Sequence, residues 1–196
     1  MAHPYILGIS GSFNPRSVSH LALKTTLEDA AALGAETEIL RLSDKTLPHF
    51  DPHDESSDAN YDMYQEKLLR ADALLLATPD YHGGPSGVLK NFLDYFWKEF
   101  AGRLTGYICA SHEKGLLPME QLRTHIRQCY GWSLPYGVGI ADSDCTADRS
   151  SVSSANIRGR LKALAYDLVR YGPPLKKLFE EDRKVADHGF ASCYKD

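Results

Sequence analysis

The stretch GISGSFNPRSVSHLA, residues 8 to 22, lies where a predicted strand turns into a predicted helix. An apolar run at residues 5–9 precedes it, and apolar residues at helical spacing follow it. Turns of this kind bind phosphates, because the start of a helix carries unpaired backbone N–H groups and the positive end of the helix dipole. The stretch lacks the G-x-G-x-x-G pattern of a dinucleotide site and the G-K-[ST] pattern of an NTPase site. It is rich in hydroxyl groups instead, so this first loop, residues 10–19, is a candidate anion site.

Apolar runs and helical patterns alternate along the whole chain, which favours a parallel sheet with helices on both faces. The predicted strands are residues 4–9, 37–42, 73–77, 107–110 and 136–141. The third is continuously apolar, as in a strand buried on both faces, whereas the second alternates, as in an outer strand. The prediction is an α/β, flavodoxin-like, doubly wound five-stranded parallel sheet of order 2-1-3-4-5. In such a sheet the ligand binds beyond the carboxyl ends of the first and third strands, so the loops after them face each other.

Composition restricts the class of function. The 196 residues carry a net charge of -4 with a pI near 6.1, and no basic cluster that nucleic-acid binding would require. No window approaches the ~20 apolar residues of a membrane span, and the N-terminal apolar run is too short for a signal peptide. Cys109, Cys129, Cys145 and Cys193 are far apart without a C-x-x-C motif. We therefore expect a cytoplasmic protein with no nucleic-acid or membrane partner.

The first loop supplies small hydroxyls and an amide beside one cation. Its candidate ligands for a phosphate are Ser10, Ser12, Asn14, Arg16, Ser17 and Ser19. Each donor to a charged oxygen contributes roughly 1.5–3 kcal/mol, so several together can hold a phosphate dianion. The alternative is that Ser17 only caps the first helix and the other serines are turn residues.

A second segment, TPDYHGGPSGVLKNFLDYFW at residues 78–97, begins with a loop and continues as a helix. In this second loop, residues 78–86, Pro79 and Gly83 keep the backbone irregular at the end of a buried strand, so its polar groups can pair with a flat heteroaromatic ligand. Tyr81 and His82 add planar surface, and Ser86 is the expected N-cap of the helix. The alternative is an ordinary turn with surface aromatics.

These two segments resemble those of the NADPH-dependent FMN reductase family, which includes quinone, azo-dye and chromate reductases. The family pattern after the third strand, T-P-E-Y-H-G-S-x-x-G-x-L-K-N-x-L-D, is matched from Thr78 to Asp94, with Asp80 at the glutamate position and Gly84 at the serine position. The pattern after the first strand, G-S-x-R-x-x-S, is matched by Gly11, Ser12 and Ser17, with Asn14 at the arginine position.

The resemblance implies an enzyme that binds FMN and uses NADPH or NADH as co-substrate. A hydride passes from NAD(P)H to FMN, and two electrons then pass to a small acceptor such as a flavin, quinone, azo compound or metal oxyanion. By the same resemblance a third loop also approaches the isoalloxazine, through Ser111, His112, Glu113 and Gly115. The alternatives are a flavodoxin-type electron carrier and a non-catalytic module that has kept the fold.

Three further expectations concern the rest of the chain. Residues 1–171 form the flavodoxin-like FMN-binding domain, and residues 172–196 form a C-terminal extension, a short helix or partly ordered tail after a Gly-Pro-Pro break. A helix over residues 87–100 has an apolar arc, including Phe92, wider than one sheet needs, so we expect a homodimer or homotetramer through it. The alternative is a monomer in which the neighbouring helix covers the surplus apolar side chains. His49, Asp51, His53, Asp54 and Glu55 look like metal ligands, but the matching family loop is a surface connection.

Overall fold

The computed structural model describes residues 3–53, 59–185 and 187–194. Its strands are β1 (Tyr5–Ser10), β2 (Glu36–Arg41), β3 (Ala73–Pro79), β4 (Leu104–Ala110), β5 (Trp132–Ser133) and β6 (Val138–Ile140). Its α-helices are α1 (Val18–Ala32), α2 (Ala59–Arg70), α3 (Gly87–Tyr95), α4 (Leu116–Gln128) and α5 (Ala155–Val185). Among the described residues, no helix combines the length and apolarity that a membrane crossing needs.

The sheet is parallel, with the order β2-β1-β3-β4-β5. β6 also pairs with β4, farther along the same edge than β5. The α/β class and the order 2-1-3-4-5 are confirmed. β3 is buried along almost its whole length and lies at the centre, while the half-exposed β2 forms one edge, as the two patterns predict. One core packs β1 and β3 against α1 and α5, and a second core covers the opposite face with α2, α3 and α4.

The other edge of the sheet differs from the prediction. In place of one strand at residues 136–141, two short strands pair with β4: Trp132 opposite Leu104, and Val138 opposite Ile108. Pro135 lies in the interruption between them. The amides of Trp132 and Leu134 donate to carbonyls of the β4 segment, so the backbone nitrogen of Pro135 faces away from β4. The pairing is interrupted because the edge chain carries two extra residues: the offset relative to β4 changes from 28 at Leu104–Trp132 to 30 at Ile108–Val138.

The C-terminal segment also differs from the prediction. α5 runs for 31 residues and contains Pro173 and Pro174, so the expected break at Gly-Pro-Pro is wrong. A Cβ on Gly172 would lie 2.7 Å from the Cβ of Ala73, which shows how closely α5 approaches the start of β3. Farther along, Phe179 packs into a small satellite core with Ala101 and the 3-10 turn at Phe190–Tyr194.

The helix after the second loop is shorter than residues 87–100. It ends at Tyr95, and Phe96 adopts an extended conformation with φ -120° and ψ 134°. Phe92 is only 2% exposed and packs edge-on against Tyr64 of α2, with ring centroids 5.2 Å apart. The assignment of Phe92 to an interface between subunits is therefore wrong, because α2 already covers this part of the apolar arc.

Candidate functional site

The first and second loops are joined at the carboxyl ends of β1 and β3. The amide of Gly11 donates to the carbonyl of Ala77 at 2.8 Å, and Ser86 Oγ donates to the carbonyl of Gly11 at 2.5 Å. A Cβ on Gly11 would lie 2.8 Å from both Ser86 Oγ and the Cβ of Leu89. Only glycine therefore permits this approach, and the prediction that the two loops face each other is confirmed.

Ser86 has a second role in this junction. Its Oγ accepts from the amide of Leu89 at 3.4 Å, so Ser86 is the N-cap of α3, as predicted. Its own amide donates to Thr78 Oγ1 at 2.9 Å. The start of α3 is thus fixed to both loops by one serine.

The hydroxyl groups of the first loop are held inside it. Ser10, Ser12, Ser17 and Ser19 are buried, whereas residues 13–16 are exposed. Ser12 Oγ accepts from the amide of Asn14 at 3.2 Å, and the hydroxyls of Ser17 and Ser19 lie 2.9 Å apart. Ser17 is also the N-cap of α1, accepting from the amide of His20 at 3.3 Å. The cap role that the sequence allows for Ser17 is therefore present.

Capping leaves several donors of this loop unused. The backbone amides of Ser12, Phe13, Val18 and Ser19 have no hydrogen-bond partner among the described residues. The guanidinium of Arg16 is likewise unpaired within that part of the chain. Unpaired amides at the N-terminus of a helix, together with a cation, are the donor set that a phosphate needs. The residues present therefore fit the phosphate of FMN.

His20, which the sequence analysis does not name, lies beneath the first loop. Its Nδ1 is 3.1 Å from Ser10 Oγ. Burial and the nearby charge of Arg41 lower the pKa of His20 below its usual value of 6.5. His20 is consequently neutral at pH 7 and can fix the orientation of the Ser10 hydroxyl.

The second loop contains a tight turn at residues 81–84, in which the side chains of Tyr81 and His82 are exposed. The amide of Tyr81 donates to the carbonyl of Gly84 at 3.0 Å, and the amide of Gly84 donates back at 3.1 Å. His82 and Gly83 have φ values of 57° and 78°, the left-handed conformation of a two-residue hairpin turn. Tyr81 is 57% exposed, so its ring is available as a surface beside the loop.

Asp80 joins the second loop to the third loop, residues 111–115. Its amide donates to the carbonyl of Ala110 at 2.8 Å. One carboxylate oxygen accepts from the amide of Gly83 and the other from Ser111 Oγ, both at 2.8 Å. Both oxygens are thus engaged in positioning the two loops.

The third loop is folded tightly against the strands below it. Lys114 and Gly115 have φ values of 60° and 62°, and a Cβ on Gly115 would lie 2.6 Å from Cys109 Sγ. A Cβ on Gly139 would lie 2.0 Å from the carbonyl oxygen of Lys114. The side chains of His112 and Glu113 remain exposed above this compact turn.

Between the second and third loops lies a cavity of about 390 Å³, which we call the loop cavity. Its walls are formed by Asp80, His82, Gly83, Ala110, Ser111, His112, Glu113, Ile140, Ala141 and Asp142. The structure thus brings together six of the predicted site residues. Pro79, Tyr81, Gly115 and the residues of the first loop do not line this cavity. The volume is within the range of small-ligand pockets.

Arg149 connects the first loop to the rim of the loop cavity, and sequence reasoning misses it. Its Nη1 donates to the carbonyl of Arg16 at 3.3 Å, and its Nη2 donates to Asp142 Oδ2 at 2.6 Å. The residue has a φ of 55°, held by a turn in which Asp148 accepts from Thr146 Oγ1. The hydroxyl hydrogen bonds lower the pKa of Asp148 to about 2.

The candidate metal ligands do not form a cluster in the described part of the chain, where no group of three such side chains is found. His49, Asp51 and His53 are all exposed, and the amide of His53 donates to Asp51 Oδ1 at 2.9 Å. Asp54 and Glu55 lie outside the described residues.

Comparison with known proteins adds evidence of a different kind. Residues 4–144 match the model of the NADPH-dependent FMN reductase family. The chain is similar to the FMN-dependent NADPH-azoreductase of Staphylococcus aureus, with 35% identity over 121 residues, which cover 56% of this chain and 62% of that protein. The match thus spans less than two thirds of the azoreductase.

Solved structures show the same fold at low sequence identity. The flavoenzyme NAD(P)H:(acceptor) oxidoreductase from Paracoccus denitrificans has a TM-score of 0.73 at 18% identity, with 87% of this chain and 98% of that chain covered. The NAD(P)H:quinone oxidoreductase from Methanothermobacter marburgensis has a TM-score of 0.65 at 14% identity, with 85% and 96% covered.

Proposed function

The chain belongs to the NADPH-dependent FMN reductase family, and from that membership we propose that it is an FMN-dependent NAD(P)H oxidoreductase. The co-substrate is NADPH or NADH, and the acceptor is a small molecule: a flavin, quinone, azo compound or metal oxyanion. The observation that carries the proposal is the junction of the first two loops at Gly11, beside unpaired amides at the start of α1.

Residues of the first loop would hold the phosphate. The amides of Ser12, Phe13, Val18 and Ser19 supply N–H donors, and Arg16 supplies the positive charge where Asn14 replaces the family's arginine. Arg149 holds the carbonyl of Arg16, which orients this loop toward the rest of the site.

The second and third loops would hold the ring system. Tyr81 and His82 offer planar surface, and the backbone of the turn is fixed by Gln121, whose Nε2 donates to the carbonyl of Gly83 at 2.9 Å. Asp80 keeps the two loops at a constant separation through Gly83 and Ser111.

Bound FMN would supply the redox chemistry, accepting a hydride from NAD(P)H and passing two electrons to the acceptor. The protein then needs no nucleophile or acid of its own. Its residues exclude water from one side of the ring, orient it and leave the other side open to the two substrates in turn.

Calorimetric titration with FMN and with riboflavin tests the assigned phosphate site. FMN should bind more tightly by about tenfold or more, since each lost donor to a charged oxygen costs roughly 1.5–3 kcal/mol. Equal affinities for the two flavins would contradict the phosphate role of the first loop.

We also propose a cytoplasmic homodimer or homotetramer. The support is an exposed apolar surface near the end of α3, where Trp97 is 59% and Phe50 41% exposed. Sedimentation of the wild type and of Trp97→Glu tests it: the wild type should sediment above 22 kDa and the variant as a monomer. A wild-type monomer would contradict it.

A further inference from the structure

A second, larger cavity of about 560 Å³ adjoins the loop cavity; we call it the edge cavity. The two share Ser111, His112, Ile140 and Ala141 as lining residues. The edge cavity continues between the first half of α4, the chain around the break in the edge strand and the first turns of α5. A substrate longer than one ring could therefore occupy both cavities.

Three cationic side chains, Arg123, Arg160 and Lys114, line the edge cavity. Nη2 of Arg160 donates to the carbonyl of Gly137 at 2.6 Å, which fixes the guanidinium at the wall. Neither Arg160 nor Lys114 forms an ion pair with a carboxylate of the described residues. A guanidinium has five N–H donors, so Arg160 retains several for a ligand.

Arg123 is fixed more firmly. Its Nη1 donates to the carbonyl of Leu134, and its guanidinium carbon lies 5.1 Å from the ring centroid of Tyr107. Its Nε donates to Glu120, whose side chain is 63% exposed. The other carboxylate in the lining belongs to Asp144, which accepts from the amide of Ala141 at 2.9 Å.

The two cavities differ in charge. Among the described residues, the loop cavity is lined by the carboxylates of Asp80, Glu113 and Asp142 and by no lysine or arginine. Arg149 offsets only one of these carboxylates, through its ion pair with Asp142. An anionic group is therefore disfavoured in the loop cavity and favoured in the edge cavity, where the arginines lie.

We propose that the edge cavity binds an oxyanion, a phosphate or a sulfonate, of a substrate whose reactive ring lies against the flavin ring that the second and third loops would hold. The inference rests on the proposed function for the identity of that substrate. The oxyanion belongs either to the nicotinamide dinucleotide, as its 2′-phosphate, or to a charged acceptor. Arg160 and Arg123 bind it, and Lys114 adds charge at the rim.

Calorimetry with 2′,5′-ADP tests the cavity without requiring any flavin chemistry. Arg160→Gln should weaken the binding by about fivefold or more, because a charge-assisted hydrogen bond is lost. Arg170→Gln is the matched control, an exposed arginine on the same helix outside the cavity, and it should bind like the wild type. Lys114→Asn is the second variant, since asparagine tolerates the left-handed backbone at this position.

Anaerobic stopped-flow then identifies the source of the oxyanion. If it is the 2′-phosphate, Arg160→Gln raises the apparent Kd for NADPH and leaves that for NADH unchanged. If it is the acceptor, Arg160→Gln raises the KM of a sulfonated azo compound and leaves that of an unsulfonated one unchanged.

Equal binding of 2′,5′-ADP and equal KM values for both acceptors in the wild type, Arg160→Gln and Lys114→Asn would overturn the proposal. A similar loss in Arg170→Gln would also overturn it, because the effect would then come from net charge. Failure of the proposed function has a different signature: no flavin reduction by either nicotinamide in the wild type, with the response of 2′,5′-ADP binding to Arg160→Gln preserved.

Discussion

Replacing Gly11 by alanine perturbs the point where the first two loops meet. The new methyl carbon would lie 2.8 Å from both Ser86 Oγ and the Cβ of Leu89, neither of which is the far end of a flexible chain. Relief requires separation of the loops, at about 1–3 kcal/mol for overpacking. It also lengthens the 2.5 Å hydrogen bond from Ser86 to the carbonyl of Gly11, which contributes about 0.5–1.5 kcal/mol. The lower entropy of the unfolded chain offsets about 0.4–1 kcal/mol.

The expected net loss is about 0.5–4 kcal/mol in the free energy of unfolding, measured by urea denaturation, together with weaker FMN binding. Gly87→Ala is the matched control, since no atom lies within 4 Å of its added Cβ and it begins α3. It should be neutral or slightly stabilising. Equal urea midpoints for Gly11→Ala and the wild type would refute the reasoning.

Three further predictions address separate parts of the molecule. Ser17→Asp should retain the stability of α1, because aspartate is as good an N-cap as serine. It should nevertheless weaken FMN binding more than Ser17→Ala does, because a fixed negative charge repels the phosphate. If calorimetry shows that Ser17→Ala binds FMN more weakly than Ser17→Asp, only the N-cap role of Ser17 is left. Folding lowers the pKa of His20, so the unfolded chain binds more protons and the free energy of unfolding should fall as the pH drops below 6.5. Urea denaturation of His20→Asn should no longer show this pH dependence. If the variant keeps the pH dependence, another group causes it. Gly102→Ala should lower the free energy of unfolding by about 2–4 kcal/mol, because its Cβ would lie 2.2 Å from Phe179 Cγ at a φ of 71°. The affinity for FMN should stay unchanged, since Gly102 lies at the opposite end of the sheet from the candidate site. A change in FMN affinity would show that the two ends are coupled.

The order of the sheet could be predicted because its signals are local. Residues 73–77 are apolar without alternation, which places β3 between two layers of helices. A hydroxyl-rich turn after β1 and a glycine-rich turn after β3 then mark the switch point of the sheet, where the two loops do meet.

Features that depend on distant partners could not be predicted. α5 continues through Pro173 and Pro174 because its second half is anchored elsewhere: Lys176 donates to the carbonyl of Arg70, and Glu180 pairs with the buried Arg103. Together with the packing of Phe179 in the satellite core, these contacts hold the segment after the prolines in place against the helix-breaking preference of proline.

In the candidate site, too, features with a local sequence signal could be predicted, and contacts between distant residues could not. Asp80 and Ser111 are found from their positions after strands, but the hydrogen bond that joins them spans 31 residues. Arg149 reaches the carbonyl of Arg16 across 133 residues, and no pattern around it in the sequence indicates that contact. The sequence therefore locates the loops, while the cross-links between them are visible only in the folded chain.

Anaerobic reduction of the FMN-loaded protein by NADPH, followed at the flavin absorbance band in a stopped-flow instrument, tests the central claim most directly. The account predicts that the flavin is bleached by NADPH or NADH and that its colour returns when a quinone or azo acceptor is added. A bound flavin that dithionite bleaches but neither nicotinamide does would contradict the account and indicate a flavodoxin-type carrier.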